Sequence, residues 1–372
     1  MSEPKKILFV IPSLKRAGAQ IQLVNLINAL DHRKFTRYLY TFEENIDQLS
    51  RIDKQNIRFY NRRRRYKYDI APAREMASII EREKIDIVHC TLQFALLQGW
   101  LATKLANRNP QLVVAVHTTL NRSLKDELQD RLLYQWIMRY CKRVIFVCDH
   151  QRKFWIDKYP SIDKNSVVVY NGVDVNHYQP ALFSDAGKEL RKSLSIPEEA
   201  QVICCMARFS PEKGHHILLR SFAELEASPY LLLLGEGPGR DEIEQLCDEL
   251  GVMERVRFLG NVSDVRPALA ASDLSVLAST AVETFSMAML ESMCMAVPVV
   301  ATDIGGLSEA VFPGKTGDIV TPGDANGLQS ALQKTLSTPN YIKKIGDNAR
   351  QLVLDQFSQE KMVLNTERLL LS

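Results

Sequence analysis

The sequence predicts an α/β protein of two facing Rossmann-like domains, each a parallel sheet covered by helices on both faces. Three observations carry this. The chain of 372 residues exceeds what one hydrophobic core usually organises. Short continuous apolar runs alternate with stretches of helical spacing, the mark of βα units whose strands are buried on both sides. The alternation pauses around Asn171 to Asp174 and then begins again.

The first half opens on Lys5 to Pro12, a run of β-branched and aromatic residues closed by proline, which reads as a buried parallel strand. After Ala17-Gly18-Ala19, the positions Ile21, Val24, Ile27 and Leu30 follow a helical spacing. Arg37 to Phe42 and Ile57 to Tyr60 read as strands, Ala71 to Glu83 as a helix, Asp86 to His89 as a strand and Leu96 to Leu105 as a helix. Leu112 to His117, Arg143 to Val147 and Ser166 to Tyr170 complete the set. The polar stretch Tyr178 to Pro197 has weak periodicity and is expected to be the interdomain linker. Strands then recur at Gln201 to Met206, Tyr230 to Leu234, Arg255 to Leu259, Leu274 to Leu277 and Pro298 to Ala301. The expected domains are residues 1–175 and 176–354, with a terminal amphipathic helix within 355–372 crossing back onto the first. Ligands of open parallel sheets bind beyond the strands' carboxyl ends, so two facing domains predict a cleft.

Composition narrows the class. Hydrophobic residues at 46% and charged residues at 24% are ordinary globular values. The seven cysteines are scattered without a C-x-x-C spacing and are expected to be buried, reduced thiols of a cytoplasmic protein. The first apolar run is too short for a signal peptide, and no later run reaches the roughly 18 residues of a membrane span. Net charge is +3 but unevenly spread: residues 1–175 hold 30 Lys and Arg against 18 Asp and Glu, a balance of +12, and the remainder stands at −9. The basic half is expected to face something anionic.

Four segments carry chemistry. Arg208 and Lys213 follow the strand Gln201 to Met206, where a guanidinium fork and a compact ammonium could together grip a diphosphate. Two solvated loop cations are the plain alternative. Gly235-Glu236-Gly237-Pro238-Gly239 is a turn that lets backbone approach a nucleotide or simply joins two elements. Glu283 precedes a helical run beginning at Met287, and Glu291 lies inside it; each carboxylate could accept hydrogen bonds from vicinal hydroxyls, or merely face water. The amides of Phe285, Ser286 and Met287 would lie at that helix's N-terminus, where an anion is favoured.

These segments, together with Asn171-Gly-Val-Asp174 and Pro298 to Gly306, resemble the GT4-type family of GT-B retaining glycosyltransferases over essentially the whole chain. The resemblance implies that Arg208 and Lys213 bind the diphosphate of a nucleotide-sugar donor, Glu283 the sugar hydroxyls and Glu291 the ribose. It places the base near Gly260 and Val262, and Gly18 and Gly235 beside the donor. His117, at the end of its strand, matches a position where relatives often carry a histidine near the reacting centre; a structural histidine is the alternative, and His89 reads as structural. Two departures bear on the donor: Ala17-Gly18 replaces a Gly-Gly pair, and Thr284 stands where glycine is usual.

The resemblance implies transfer with retention. With no carboxylate declaring itself as a nucleophile and no DxD-like motif after a strand, front-face transfer without cofactor or metal is expected, stabilised by Arg208, Lys213 and the helix amides. The expected donor sugar is a hexose or N-acetylhexosamine, on UDP ahead of GDP. The expected acceptor is a polysaccharide, lipopolysaccharide or glycolipid. The run Arg62 to Lys67 is either a solvated loop or a contact for anionic membrane at the inner face of the cell membrane; nucleic acid is not an expected partner, since no binding fold accompanies the run. Rival readings are a nucleotide-sugar epimerase, a sugar phosphorylase and a non-catalytic sugar-binding protein. A nicotinamide dehydrogenase fails at its own motif, because no G-x-G-x-x-G follows the first strand.

Overall fold

The computed structural model describes residues 3–53, 57–117 and 124–372. The chain divides into two compact units: unit 1 is Met1–Gly172 with Gln359–Ser372, and unit 2 is the contiguous Val173–Ser358.

Unit 1 holds a seven-stranded parallel sheet in the order β3-β2-β1-β4-β5-β6-β7. In chain order its strands are β1 (Lys5–Val10), β2 (Phe35–Thr41), β3 (Ile57–Asn61), β4 (Ile87–Thr91), β5 (Gln111–Val116), β6 (Arg143–Phe146) and β7 (Ser166–Val168). Successive side chains of a strand point to opposite faces, which explains why the strands read as unbroken apolar runs. Leu8 and Val10 enter the core beneath α2 (Ala71–Glu83) and α3 (Gln93–Leu105), while Ile7 and Phe9 enter the core beneath α1 (Gly18–Ala29). The helical stretch α4 (Leu124–Gln129) continues into a π-turn, Asp130–Tyr134, and α5 (Gln135–Met138), and the first of these cores takes up side chains of the π-turn, α5 and α6 (Asp149–Lys158).

Unit 2 repeats the plan with six parallel strands in the order β10-β9-β8-β11-β12-β13. They are β8 (Val202–Met206), β9 (Tyr230–Leu234), β10 (Val256–Gly260), β11 (Leu274–Leu277), β12 (Val299–Thr302) and β13 (Gly317–Val320). The stretch expected to be a linker is instead mostly helix, α7 (Pro180–Ser193). Its Phe183 and Leu190, with Leu194 beyond it, pack on the sheet face formed by Val202 and Cys204, so tertiary burial fixes the helix. Further helices are α8 (His215–Ala223), α9 (Arg240–Glu249), α10 (Arg266–Ala270), α11 (Met287–Cys294), α12 (Ala325–Leu336) and α13 (Pro339–Gln356). The last helix, α14 (Gln359–Leu371), returns to unit 1 and adds Met362, Val363 and Leu370 to the core under α1. Glu367 ties it down, accepting from the Asp31 backbone N–H at 2.9 Å and pairing with Lys34 at 2.7 Å. All seven cysteines are buried, and among the described residues none forms a disulfide. Among the described residues no helix is long and apolar enough to cross a membrane.

Candidate active site

Both sheets reverse their strand order beside their first strand, at β1/β4 and at β8/β11. Such a switch point opens a crevice at the strands' carboxyl ends, the place where ligands of open α/β sheets bind. In unit 2 the residues singled out in the sequence gather along this edge.

β8 runs into the loop Ala207 to Gly214. Buried Phe209 anchors the loop, its ring 4.7 Å from that of His215 and 6.0 Å from that of Phe258. A 3-10 turn, Pro211–Lys213, ends at Gly214 in the left-handed region at φ 66°. A Cβ there would lie 2.0 Å from the Ala278 carbonyl oxygen, so the loop sits directly on the backbone leaving β11. The Thr280 N–H donates to the Glu212 carbonyl at 2.9 Å and fastens the same contact.

This docking brings Lys213 across the switch point to Glu283. The ammonium lies 2.5 Å from Glu283 Oε1, and the Ser279 hydroxyl donates to that same oxygen at 3.0 Å. Both side chains are largely buried, so the pair is better shielded than a surface ion pair. Arg208, by contrast, is exposed, and among the described residues its guanidinium makes no hydrogen bond or ion pair. One cation is thus committed within the protein and the other faces outward.

The Glu283 loop is clamped from β12. The Gly306 N–H donates to the Thr284 carbonyl at 2.7 Å, and Gly305, at φ 61°, approaches so closely that a Cβ would lie 2.3 Å from the Glu283 carbonyl oxygen. Phe285 is buried against Phe357, with ring centroids 5.1 Å apart. Ser286 caps α11, its hydroxyl accepting from the Met289 N–H at 3.4 Å, so Phe285, Ser286 and Met287 lie at this helix start. Glu291, in the second turn, is hydrogen-bonded by the Tyr178 hydroxyl. Burial, reinforced by that carboxylate, raises the Tyr178 pKa. Arg350 holds Tyr178 in place by donating to its carbonyl at 2.8 Å and to the Cys294 carbonyl. Sequence reasoning missed Tyr178 because its partner lies more than a hundred residues away and its neighbourhood read as linker.

At the ends of β9 and β10, Gly235, Gly260 and Val262 come together. The Gly235 N–H donates to the Gly260 carbonyl at 2.8 Å, and the Val262 N–H reaches the same oxygen at 3.2 Å. These amides brace the edge rather than point outward.

Unit 1 gathers fewer of its predicted residues. Gly18 opens α1, and a Cβ built on it would meet nothing within 4 Å, so packing does not require glycine there. His117 follows β5 and lines a cavity of about 40 Å³ with His89, Thr91, Gln22 and Asn171. Burial lowers the pKa of both His117 and His89 to about 4. Among the described residues, His89 Nδ1 and Thr91 Oγ1 are buried without a hydrogen-bond partner. His89, read from sequence as structural, therefore shares a small, mostly apolar cavity with His117. The arginine run is partly neutralised locally: Arg62 pairs with Glu75, Arg63 with Glu44 and Arg64 with Glu43. Among the described residues no group of three or more His, Cys, Asp or Glu side chains is placed to hold a metal ion.

Comparison with known proteins agrees with this arrangement. Residues 16–177 match the family model Glycosyltransferase Family 4, and residues 187–352 match Glycosyl transferases group 1. The N-acetyl-alpha-D-glucosaminyl L-malate synthase of Bacillus anthracis is 29% identical over 81% of this chain and 78% of its own length. The lipopolysaccharide core biosynthesis glycosyltransferase LpsE of Rhizobium meliloti is 36% identical over 46% of this chain and 49% of its own length. The crystal structure of Anabaena Alr3699/HepE in complex with UDP and glucose shares the fold at a TM-score of 0.85, with 24% identity and 98% of each chain covered. With the paired parallel sheets and the gathered motif residues, these matches establish that the chain belongs to the GT4-type family of GT-B glycosyltransferases.

Proposed function

We propose that the chain is a retaining, metal-independent glycosyltransferase that moves a hexose or N-acetylhexosamine from a UDP-sugar to a glycan or lipid-linked acceptor. The observation that carries this reading is the Lys213–Glu283 contact across the switch point, with outward-facing Arg208 beside it. Arg208 takes the donor diphosphate, and Lys213, while paired with Glu283, turns its remaining N–H groups to the same anion. The N-terminus of α11, around Phe285 to Met287, faces charge developing on the departing diphosphate. Glu283 accepts from sugar hydroxyls through the oxygen that Lys213 and Ser279 do not occupy. Glu291, held by Tyr178, accepts from the ribose. Gly18 and His117 of unit 1 keep the roles that the family resemblance implies; His117, neutral above about pH 4, would act as a hydrogen-bonding group toward a sugar.

The UDP assignment is supported by the UDP held in the HepE structure, and the N-acetylhexosamine option by the name of the Bacillus relative. The name of LpsE supports a lipopolysaccharide-type acceptor. Seven buried cysteines outside any disulfide favour a reducing, cytoplasmic setting.

A thermal-shift panel of UDP-, GDP- and ADP-sugars tests the donor. A donor at 100 times its Kd should add about 2.7 kcal/mol of stability. UDP-sugars should shift the transition and GDP-sugars should not; no shift with any nucleotide sugar would sink the proposal. Proton NMR of the product then reads the anomeric configuration, an inverted linkage ruling out retention, and turnover should survive EDTA.

A further inference from the structure

One surface of unit 1 belongs neither to the carboxyl edge nor to the core. The stretch from α4 through the π-turn to α5 sets Leu128, Leu132, Trp136 and Tyr140 at intervals of four residues, with 55%, 69%, 41% and 58% exposure. In an α-helix four residues overshoot a turn by about 40°, so such a row would wind around the axis. The π-turn Asp130–Tyr134 absorbs the excess by taking more residues per turn, and all four side chains remain at the surface. Tyr134, Ile137 and Met138 of the same stretch are buried in the core, which fixes the helix's orientation.

The aromatic end of the row is ordered by ring contacts. Trp136 lies 4.8 Å from Tyr140 and 5.4 Å from Trp100, centroid to centroid, and the Lys104 ammonium sits 5.9 Å from the Tyr140 ring. At the other end Gln129 donates to the Tyr68 hydroxyl at 3.0 Å, joining a further exposed ring and its neighbour Lys67. The charge along the row is mainly positive, with Glu127, just before Leu128, paired with Lys158 at 2.9 Å. From Leu128 to Arg143 the chain carries Arg131, Arg139, Lys142 and Arg143 against a single acid, Asp130, which is buried and bonded by Gln93.

Aliphatic side chains at one end, Trp and Tyr at the other and a fringe of cations match an anionic lipid interface. The alkyl groups would enter the acyl boundary, the rings would sit among headgroups, and the cations would meet phosphates. We propose that this row is the surface by which the protein docks on an anionic bilayer. It deepens the lipid-linked acceptor reading above, and it shifts the contact from the Arg62 to Lys67 run, where three arginines are paired with glutamates.

Flotation of the full chain with phosphatidylcholine vesicles, with and without phosphatidylglycerol, tests the proposal. The protein should rise with the anionic vesicles alone, its tryptophan emission should move to shorter wavelength, and added salt should weaken the association. Leu132→Ser with Tyr140→Ser should lower partitioning at least about tenfold. Its thermal transition and UDP-sugar shift should stay as in the wild type, because both side chains are exposed. Absence of wild-type flotation, or equal flotation by the variant, overturns the proposal. So does a wild-type dimer that the two substitutions dissociate without any vesicle binding, which would give the face to a second copy of the chain. Flotation without any donor shift would leave this surface standing and remove the transfer reading instead.

Discussion

The two sheets share a switch between their first and fourth strands, yet the edges above those switches are finished differently. In unit 2 the motif carboxylates and the helix start are already partnered: Lys213 and Ser279 meet Glu283, Tyr178 meets Glu291, and Ser286 caps α11, while Ser210 Oγ and His215 Nε2 beside the Lys213 loop are buried without partners among the described residues. In unit 1 His89 Nδ1 and Thr91 Oγ1 are buried beside a cavity without partners among the described residues. Topology therefore decides where a ligand can arrive, and side chains decide whether the place is already built. Unit 2 has its two motif carboxylates preorganised before any ligand binds, a property that favours tight anion and hydroxyl recognition. Unit 1 retains unsatisfied groups of the kind that a ligand or an ordered water completes.

The sharpest way to break this contrast is to remove its central contact. Lys213→Ala should lower kcat/KM about 10²–10³-fold, the scale of losing one preorganised electrostatic group, while circular dichroism still shows the folded α/β spectrum. A variant within threefold of wild type would show that the unit 2 edge is ornamental. Acid offers the next largest effect. His89 and His117 in unit 1, and His215 in unit 2, have folded pKa values lowered to about 4. A histidine depressed on folding binds its proton more readily in the unfolded chain. Stability is thus complete above about pH 6.5 and declines as pH falls toward about 4, by at most about 1.4 kcal/mol per pKa unit and histidine. Hydrogen exchange between neutral pH and pH 4.5 should show unit 1 loosening first; earlier opening of unit 2 would reverse the comparison.

Glycine substitutions sharpen it further. Gly305→Ala should cost about 1–3 kcal/mol by urea denaturation, because its Cβ would strike the Glu283 backbone at a left-handed position. Gly18→Ala should leave stability within about 0.5 kcal/mol, yet weaken donor binding in calorimetry, since only a ligand would feel that methyl group. The smallest effect is expected at Tyr178→Phe. Losing one hydrogen bond to Glu291 should weaken donor affinity about threefold to tenfold, with kcat nearly unchanged.

Much of this was legible in the residues themselves. Strands buried on both faces write themselves as unbroken apolar runs, so β1, β5, β9 and β12 could be read directly, as could α1 and α14. β13 escaped because Gly317-Asp318 dilutes its apolar pair, and α7 escaped because only Phe183 and Leu190, with Leu194 beyond it, mark its inner face. The motif residues of the site were visible one by one. Their pairing was not, since Lys213 and Glu283 stand 70 residues apart and meet only because parallel strands bring their carboxyl ends side by side. Tyr178 belongs to the same class of contact and left no local mark.

The return of α14 to unit 1 also sets an order of assembly. Unit 2 is one uninterrupted segment, whereas the core under α1 awaits Met362, Val363 and Leu370 from a segment made after all of unit 2. At about 5–20 residues per second, ribosomal synthesis separates those two parts by on the order of ten seconds or more. The domain that leaves the ribosome first is therefore the last to be sealed. Until then Ile7, Phe9 and their neighbours lie under an incomplete cover, and a nascent chain stalled before Gln359 exposes an apolar face that chaperones recognise.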